Sequence, residues 1–182
     1  ASSDNDLVVG LAADDLEPAA LHIPSGDHVF VGGAAATGKT TALCQLAAAW
    51  ATAHPAGAVL RVDRHHPLAE PPDGPTLVVV DDADRVDDPH GGLAEVVAGR
   101  RPGVTIAAAA RLEATRAAYG HWVRDVTRSR CGLVLTGPGD IDGELLGATL
   151  PRRSVIAPRP GLAWVIDASG HRLVQVAARL PA

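Results

Sequence analysis

The residues with the clearest chemical potential lie in the stretch GGAAATGKTT, residues 32–41. Gly33, four further residues, and then Gly38, Lys39 and Thr40 complete the phosphate-binding-loop pattern, also called Walker A. Lys39 is the only lysine among sixteen basic residues, and the other fifteen are arginines. An ammonium is a compact charge that fits beside a phosphate chain in a tight loop more easily than a planar guanidinium does. The pattern therefore favours a nucleotide phosphate site over a glycine-rich turn that fits by chance.

The physics of this loop assigns a role to each part of it. Glycines let backbone N–H groups turn inward around phosphates, and the N-terminus of the following helix adds positive potential. Lys39 is expected to reach the β- and γ-phosphates of ATP, and the Thr40 hydroxyl is expected to bind Mg²⁺. The predicted ATP-binding residues are Gly33, Ala34, Ala35, Ala36, Thr37, Gly38, Lys39, Thr40 and Thr41.

Two carboxylates follow the apolar run TLVVV, residues 76–80. Asp81 stands where nucleotide hydrolases hold Mg²⁺ through water, the Walker B position, and we predict that role for it. Asp82 is the candidate general base and, with Lys39, the predicted catalytic residue. In motor-type hydrolases this second acid is commonly Glu, and a shorter Asp reaches less far toward the proton it must accept. Slow hydrolysis and an ordinary strand-end carboxylate therefore both stay open for Asp82.

Other polar residues carry weaker signals. Arg111 follows a predicted strand, beside the place for a γ-phosphate sensor, but a surface role is slightly preferred. Arg116, Arg124 and Arg128 share one face of a predicted helix, where a solvated face is favoured over an arginine finger or an interface. The eight histidines lack ligand spacing with cysteines or acids, so no metal besides Mg²⁺ is expected. The two cysteines are predicted to be buried, reduced thiols.

The elements that must position these residues alternate between strands and helices. This rhythm predicts an α/β fold with a mostly parallel central sheet flanked by helices. The predicted strands of that sheet are residues 28–33, 58–63, 76–82, 104–110 and 131–137, and the predicted helices are residues 38–53, 91–100 and 112–130.

The two ends of the chain read differently from its middle. Residues 6–11 and 20–24 predict short antiparallel strands, and residues 162–167 and 172–177 predict a terminal hairpin. Residues 63–75 contain four prolines and leave no room for a helix. We predict a single domain over residues 1–182, with no membrane-spanning run and no signal peptide. The net charge of −5 argues against a dedicated DNA-binding module.

The chain resembles the FtsK/SpoIIIE ATPases, and most of all the last, C-terminal ATPase module of type VII secretion (EccC-like) proteins. The resemblance covers nearly the whole chain and depends on the order of its segments. These are VVGLAADDLEP, the phosphate loop, LVVVDDADRVDD, RLEATRAAYGHWVRDVTRSRCGLVL, DGELLGATLPRR and LVQVA.

The resemblance implies a RecA-like fold in a cytoplasmic domain excised from a membrane-anchored parent with several ATPase modules. It implies ATP and Mg²⁺ as cofactors, and Lys39, Thr40, Asp81 and Asp82 as the nucleotide site. The implied partners are other ATPase modules of the parent or of a hexamer, and the export-signal peptide of a secreted protein. No direct membrane contact by this domain is expected.

Four functional hypotheses follow. The first is an ATP-binding, slowly hydrolysing module of a protein-secretion motor. The second is a non-hydrolysing module in which bound ATP is structural and an export-signal peptide is recognised in an apolar groove. The third is a DNA translocase, against which stand the acidic charge and the lack of an attached DNA-reading domain. The fourth is a small-molecule kinase, which only Arg152 and Arg153 support.

Overall fold

The computed structural model describes residues 5–136, 143–151 and 156–177. These residues form one nine-stranded sheet with helices on its faces. The strands are β1 (Asn5–Ala12), β2 (Pro18–Ile23), β3 (Val29–Gly32), β4 (Ala58–Val62), β5 (Thr76–Val80), β6 (Val104–Ala110), β7 (Gly132–Leu135), β8 (Leu162–Asp167) and β9 (Gly170–Val176). Their order across the sheet is β2-β1-β9-β8-β7-β3-β6-β5-β4. The predicted α/β class and the strand positions are confirmed, while Gly137, Arg152 and Arg153 lie outside the described residues.

Five neighbouring strands, β7-β3-β6-β5-β4, are parallel and form one half of the sheet. Every residue of β5 and of β6 is buried, because helices cover both faces of these strands. Strand β3, which leads into the phosphate loop, is central, and β6 separates it from β5. The loop after β3 and the acids after β5 therefore emerge at the same edge of the sheet, one strand apart.

The other half of the sheet is antiparallel and joins the two ends of the chain. β1 pairs with β2 in one hairpin and β8 with β9 in another, as the sequence predicts. The two hairpins meet where β1 pairs with β9, and β8 pairs with β7. Both hairpins thus extend the same side of the parallel strands. In β2 buried and more exposed residues alternate, which is typical of a strand with one face toward solvent.

The helices are α1 (Lys39–Ala53), α2 (Gly92–Val97), α3 (Leu112–Ala117) and α4 (Trp122–Val126). The predicted single helix over residues 112–130 is wrong. Gly120 has a φ of +73° and interrupts the helical path, and the His121 side chain then accepts a hydrogen bond from the Val123 N–H (3.3 Å) as the cap of α4. Consequently Arg116 and Arg124 lie on different helices, and they do not share one helical face with Arg128.

Two hydrophobic layers enclose the sheet. On one face α1 buries Leu43, Leu46 and Trp50 at helical spacing against the odd-numbered residues of the central strands. On the other face α2 and α4 pack Leu93 and Trp122 against the alternate residues. Residues 63–75 contain no helix, as predicted, and no helix in the described part of the chain is long and apolar enough to cross a bilayer.

The two cysteines are free thiols, as the sequence predicts. Cys131 is buried, and this burial raises the pKa of its thiol. Cys44 is only half-buried, so the prediction of burial is wrong for this residue. Its sulfur faces the guanidinium of Arg61 on β4 at 4.0 Å.

Candidate functional site

The loop between β3 and α1 needs glycine at two of its positions. A Cβ on Gly33 would lie 2.7 Å from the Thr37 hydroxyl and 3.0 Å from Cβ of Leu135. Gly38 has a φ of +103°, which side-chain-bearing residues rarely adopt, and precedes the first residue of α1. The GxxxxGK spacing therefore corresponds to a closed loop that sits on β7 and turns sharply into a helix.

Lys39 is folded into the interior of this loop. Its side chain is buried, and its Nζ donates hydrogen bonds to the carbonyl oxygens of Ala34 (2.7 Å) and Gly33 (3.2 Å). Thr37 closes the same turn by donating from its hydroxyl to the Ala34 carbonyl (2.9 Å). The loop therefore holds one fixed positive charge at its centre, while Ala34, Ala35 and Ala36 are exposed around it.

The N-terminus of α1 is open for an anion. No side chain caps Gly38, and the first turn of α1 contains no acidic residue. The first N–H groups of a helix have no partner within the helix, and its dipole favours negative charge at this end. Thr40 and Thr41 are exposed on this turn.

Thr40 and Asp81 meet at the mouth of the loop. The Thr40 hydroxyl donates to Oδ2 of Asp81 at 2.6 Å, although β6 lies between the strands that lead to these two residues. The other carboxylate oxygen, Oδ1, accepts from the backbone N–H of Asp82 at 2.9 Å. Asp81 is thus oriented by two hydrogen bonds. The Thr40 hydroxyl keeps its lone pairs available as a ligand for a divalent cation, so the donor set fits Mg²⁺.

Asp82 occupies a tight turn directly after β5. Its backbone is left-handed (φ 46°, ψ 42°), a conformation that Asp tolerates better than most residues. Its carboxylate is exposed, and Oδ2 lies 3.9 Å from the guanidinium of Arg85. The side chain is therefore beside Asp81 but is not buried in a dry pocket.

Arg111 at the end of β6 is engaged by Asp84. Its Nη2 and Nε donate to Oδ2 of Asp84 at 2.8 and 3.2 Å. The Asp84 side chain is only 2% exposed. Burial works to raise the pKa of this carboxyl, but the hydrogen bonds and charge of Arg111 outweigh it, so the pKa is lowered. Arg111 is partly exposed at the end of β6, the strand between β3 and β5, and its guanidinium is committed to this ion pair.

Sequence reasoning missed a second contact with the loop, made by the start of the C-terminal hairpin. The Gly161 N–H donates to the Thr37 carbonyl (2.9 Å), and a Cβ on Gly38 would lie 3.0 Å from the Gly161 nitrogen. Beside Gly161, the Arg159 Nε donates to Oε1 of Gln175 at 2.7 Å. No motif marks these residues, and the only sequence signal was the predicted hairpin itself.

The fold thus brings the predicted loop, Lys39, Thr40 and both acids to one edge of the sheet. Of the weaker candidates, Arg111 is near them. Arg128 pairs instead with Asp125 (3.0 Å), and Arg124 lies over the ring of Tyr119, with the guanidinium carbon 4.7 Å from the ring centre. These last two arginines belong to the layer of α4 and do not join the site.

Comparison with known proteins defines first a class and then a family. The fold is that of an α/β nucleotide triphosphatase domain. A sequence profile of the family described as Novel STAND NTPase 5 matches residues 8–121, more than half of the chain, and the chain belongs to this family. No curated protein matches the sequence.

Solved structures share the fold over almost the whole chain. The cytoplasmic domain of the type VII secretion ATPase EccC from Thermomonospora curvata aligns with a TM-score of 0.70 and 21% identity, over 98% of this chain and 27% of its own. ATPases 2 and 3 of EssC from Geobacillus thermodenitrificans align with a TM-score of 0.71 and 13% identity, over 97% and 42% of the two chains.

A third structure contains a peptide. ATPases 2 and 3 of T. curvata EccC, in complex with a signal sequence peptide, align with a TM-score of 0.67 and 19% identity, over 98% of this chain and 41% of theirs. The resemblance to type VII secretion ATPase modules is therefore confirmed as a likeness of fold. The chain spans less than half the length of these three relatives.

Proposed function

We propose that this chain is an Mg·ATP-binding ATPase module of a protein-secretion motor, with a RecA-like arrangement of its parallel strands. The observation that carries the proposal is the 2.6 Å hydrogen bond between the Thr40 hydroxyl and Asp81. A hydroxyl and a carboxylate that meet beside a phosphate-binding loop form the pair of groups that hold Mg²⁺ against ATP in nucleotide hydrolases.

Each residue of the loop then has a defined task. The N–H groups at the start of α1 bind phosphate oxygens, and the Lys39 ammonium, released in part from the Gly33 and Ala34 carbonyls, neutralises phosphate charge. Thr40 provides an oxygen ligand for Mg²⁺, and Asp81 orients that hydroxyl and the water around the ion. Bound Mg²⁺ supplies charge stabilisation for the phosphates.

Hydrolysis depends on Asp82. Its carboxylate is exposed and follows a left-handed backbone turn, so water is free to reach it. Its short side chain and its neighbour Arg85 both oppose its action as a base, because a base must be unengaged and within hydrogen-bond reach of the attacking water. We therefore propose slow hydrolysis, with Asp82 as the residue that polarises water.

The setting of the module comes from the fold relatives. They are multi-module ATPases of type VII secretion, and one of them is in complex with a signal sequence peptide. By analogy, we propose that this module works beside other ATPase modules in the cytoplasmic part of a membrane-anchored parent. A module that holds ATP without turnover and recognises an export-signal peptide is the second candidate, favoured by the same exposed, short Asp82.

The test is calorimetric titration of the purified chain with ATP, with and without Mg²⁺. Lys39→Ala is expected to lose about 2 kcal/mol or more of binding free energy, the scale for deleting a charged hydrogen-bonding partner. Thr40→Val is expected to retain weak binding but to lose its dependence on Mg²⁺. Thr52→Val, an exposed threonine near the other end of α1, is the matched control and should bind as the parent does.

The outcomes separate the proposals. A parent protein that does not bind ATP would refute the nucleotide site as a whole. A parent whose affinity ignores Mg²⁺, with Thr40→Val unchanged, would refute the roles of Thr40 and Asp81 only. Binding with steady phosphate release that Asp82→Asn abolishes supports the motor. Binding with no release at all supports the second candidate.

A further inference from the structure

The turn before β8 lies against the phosphate loop because of strand direction. β8 is antiparallel to β7, and Leu135 at the end of β7 pairs with Ala163 near the start of β8. The start of β8 therefore reaches the same edge of the sheet as the loop that follows β3. Gly161 touches the loop directly, through its N–H on the Thr37 carbonyl and its nitrogen 3.0 Å from the place of a Gly38 Cβ.

Gln175 on β9 fixes the side chain of Arg159, which belongs to this turn. Gln175 accepts from Nε of Arg159 (2.7 Å) and donates from Nε2 to the carbonyl of Pro160 (3.2 Å). Gly161 makes room for this arrangement, because a Cβ there would lie 2.7 Å from Nε2 of Gln175. The backbone on both sides is also tied, since Leu162 donates to the Arg159 carbonyl and Val176 to the Gly161 carbonyl.

Arg159 is held but its charge is not neutralised. The hydrogen bond to Gln175 uses only Nε, and a neutral amide cancels no charge. Within residues 5–136, 143–151 and 156–177, no carboxylate forms an ion pair with Arg159, and its terminal amino groups donate no hydrogen bond. Arg111, at the end of β6, is in contrast bound to Asp84.

The charges at the site call for a further cation. Lys39 is the one basic side chain inside the loop, and the carboxylates of Asp81 and Asp82 stand at its mouth. Even with Mg²⁺ present, the phosphates of ATP carry more negative charge than these groups balance. A guanidinium with free paired donors is suited to phosphate oxygens.

We propose that Arg159, positioned by Gln175, is an additional phosphate-binding residue of the nucleotide site. The proposal rests on the proposed function of the loop. Because the turn contacts the Thr37–Gly38 part of the loop, whose backbone N–H groups cradle the α- and β-phosphates, Arg159 serves ATP and ADP alike. Gln175 is a positioning residue that acts only through Arg159.

The experiment is titration of the whole chain with Mg·ATP and Mg·ADP at low and high KCl. Arg159→Ala is expected to weaken both nucleotides about tenfold at low salt, the scale of one charge-assisted hydrogen bond at an accessible site. That loss should shrink at high salt, because an exposed cation is screened. Arg159→Lys should recover part of the affinity. Arg100→Ala, an exposed arginine before the start of β6 at the opposite edge of the sheet, is the matched control.

Gln175→Glu provides a second, independent test. The new carboxylate keeps Arg159 in place but pairs with its charge, so nucleotide affinity should fall. The thermal midpoint should change little, because the loss of the Nε2 donor to the Pro160 carbonyl opposes the stability gained from the ion pair. If the parent binds ATP and both Arg159→Ala and Gln175→Glu bind equally well, Arg159 only fastens the hairpin and the proposal is wrong. If the parent binds no nucleotide, the proposed function fails first. An affinity loss in Arg159→Ala that is identical at both salt concentrations would also overturn a phosphate contact.

Discussion

The parallel and antiparallel halves of the sheet are built from different kinds of sequence and contribute differently to the candidate site. In the parallel half, β5 and β6 are buried on both faces, and their chain continues into Asp81, Asp82 and Arg111 at one edge. In the antiparallel half, β2 alternates between buried and more exposed residues, and none of the nucleotide-site residues predicted from the sequence lies in it. Its contribution to the site is made through the turn at Gly161, against Thr37.

This difference shows how a small domain supports a phosphate loop from two sides. The parallel strands bring the chemical groups to one edge because their carboxyl ends all point there. The start of another parallel strand could not pack beside the loop, because parallel strands begin at the edge of the sheet opposite to the loop. An antiparallel strand returns to that edge, and its first residues become the side wall of the loop.

The largest effect should come from the glycine that touches both halves. Gly38→Ala places a side chain at a φ of +103° and against Gly161. We expect a roughly 10- to 100-fold loss of ATP affinity, because a strained residue of this kind costs about 1–3 kcal/mol. Calorimetric titration measures it.

The control for this change is Gly26→Ala in the connection between β2 and β3. Gly26 also has a positive φ (+88°), but a Cβ there would meet nothing within 4 Å. It should lower stability without changing the affinity of the folded protein. Equal losses of ATP affinity in the two variants would show that the contact between Gly38 and Gly161 has no special role in the site.

Val→Thr substitutions at neighbouring positions of β5 and β1 compare the two halves of the sheet by their folding stability. In β5, Val78 and Val79 are both buried, on opposite faces, so Val→Thr should cost about 1–3 kcal/mol at either position by burying a hydroxyl. In β1, Val9 is buried and should behave alike, whereas Val8 is 49% exposed and Val8→Thr should change stability by less than about 0.5 kcal/mol. Urea denaturation gives all four values. A loss at Val8 that matches the loss at Val9 would mean that both faces of β1 are covered in solution.

The smallest expected effect is on folding stability at acidic pH. Asp84 in the parallel half and Asp15 in the antiparallel half both have a lowered pKa. At Asp84, burial raises the pKa, but the hydrogen bonds and charge of Arg111 outweigh it. At Asp15, the Glu17 N–H lowers the pKa most, burial opposes this, and Arg172 lowers the pKa further. A lowered pKa stabilises the fold above the unfolded value near pH 4, and this stabilisation is lost as the pH falls through the folded value.

We therefore expect that these two carboxylates contribute a constant stabilisation from pH 7 to about pH 4, and that their contribution decreases below that pH. Asp84→Asn should remove roughly 1–2 kcal/mol at neutral pH, since it breaks hydrogen bonds to a charged partner that is shielded from solvent, and it should flatten the acid limb. Asp15→Asn should do much less, because its ion pair with Arg172 is exposed. Urea midpoints measured from pH 3 to pH 7 test this ranking, and a steeper dependence on Asp15 would reverse it.

Much of the parallel half could be predicted because its signals are local. Runs such as TLVVV and VTIAAAA mark buried strands, and the glycine spacing marks the turn into α1. The order of the strands could not be read in the same way, since the pairing of β1 with β9 joins segments from opposite ends of the sequence.

The errors also have physical causes. The predicted helix over residues 112–130 ran through Gly120, although a glycine before a capping His121 is a recognisable break. Arg159 and Gln175 went unnoticed because no spacing joins them to the loop. Their proximity is created by the antiparallel return of β8, which the hairpin prediction contained but did not place beside β3.

The pairing of Gly10 with Val176 has a consequence for the time course of folding. It joins residues separated by almost the entire chain, and such distant contacts close slowly because the intervening loop entropy must first be overcome. During synthesis, β1 and β2 emerge well before β9, and β1 must wait for β9 as its second partner. The side wall at Gly161 is also among the last parts to be made. We expect the phosphate loop to acquire its final shape late, as the closing event of folding and not as its nucleus.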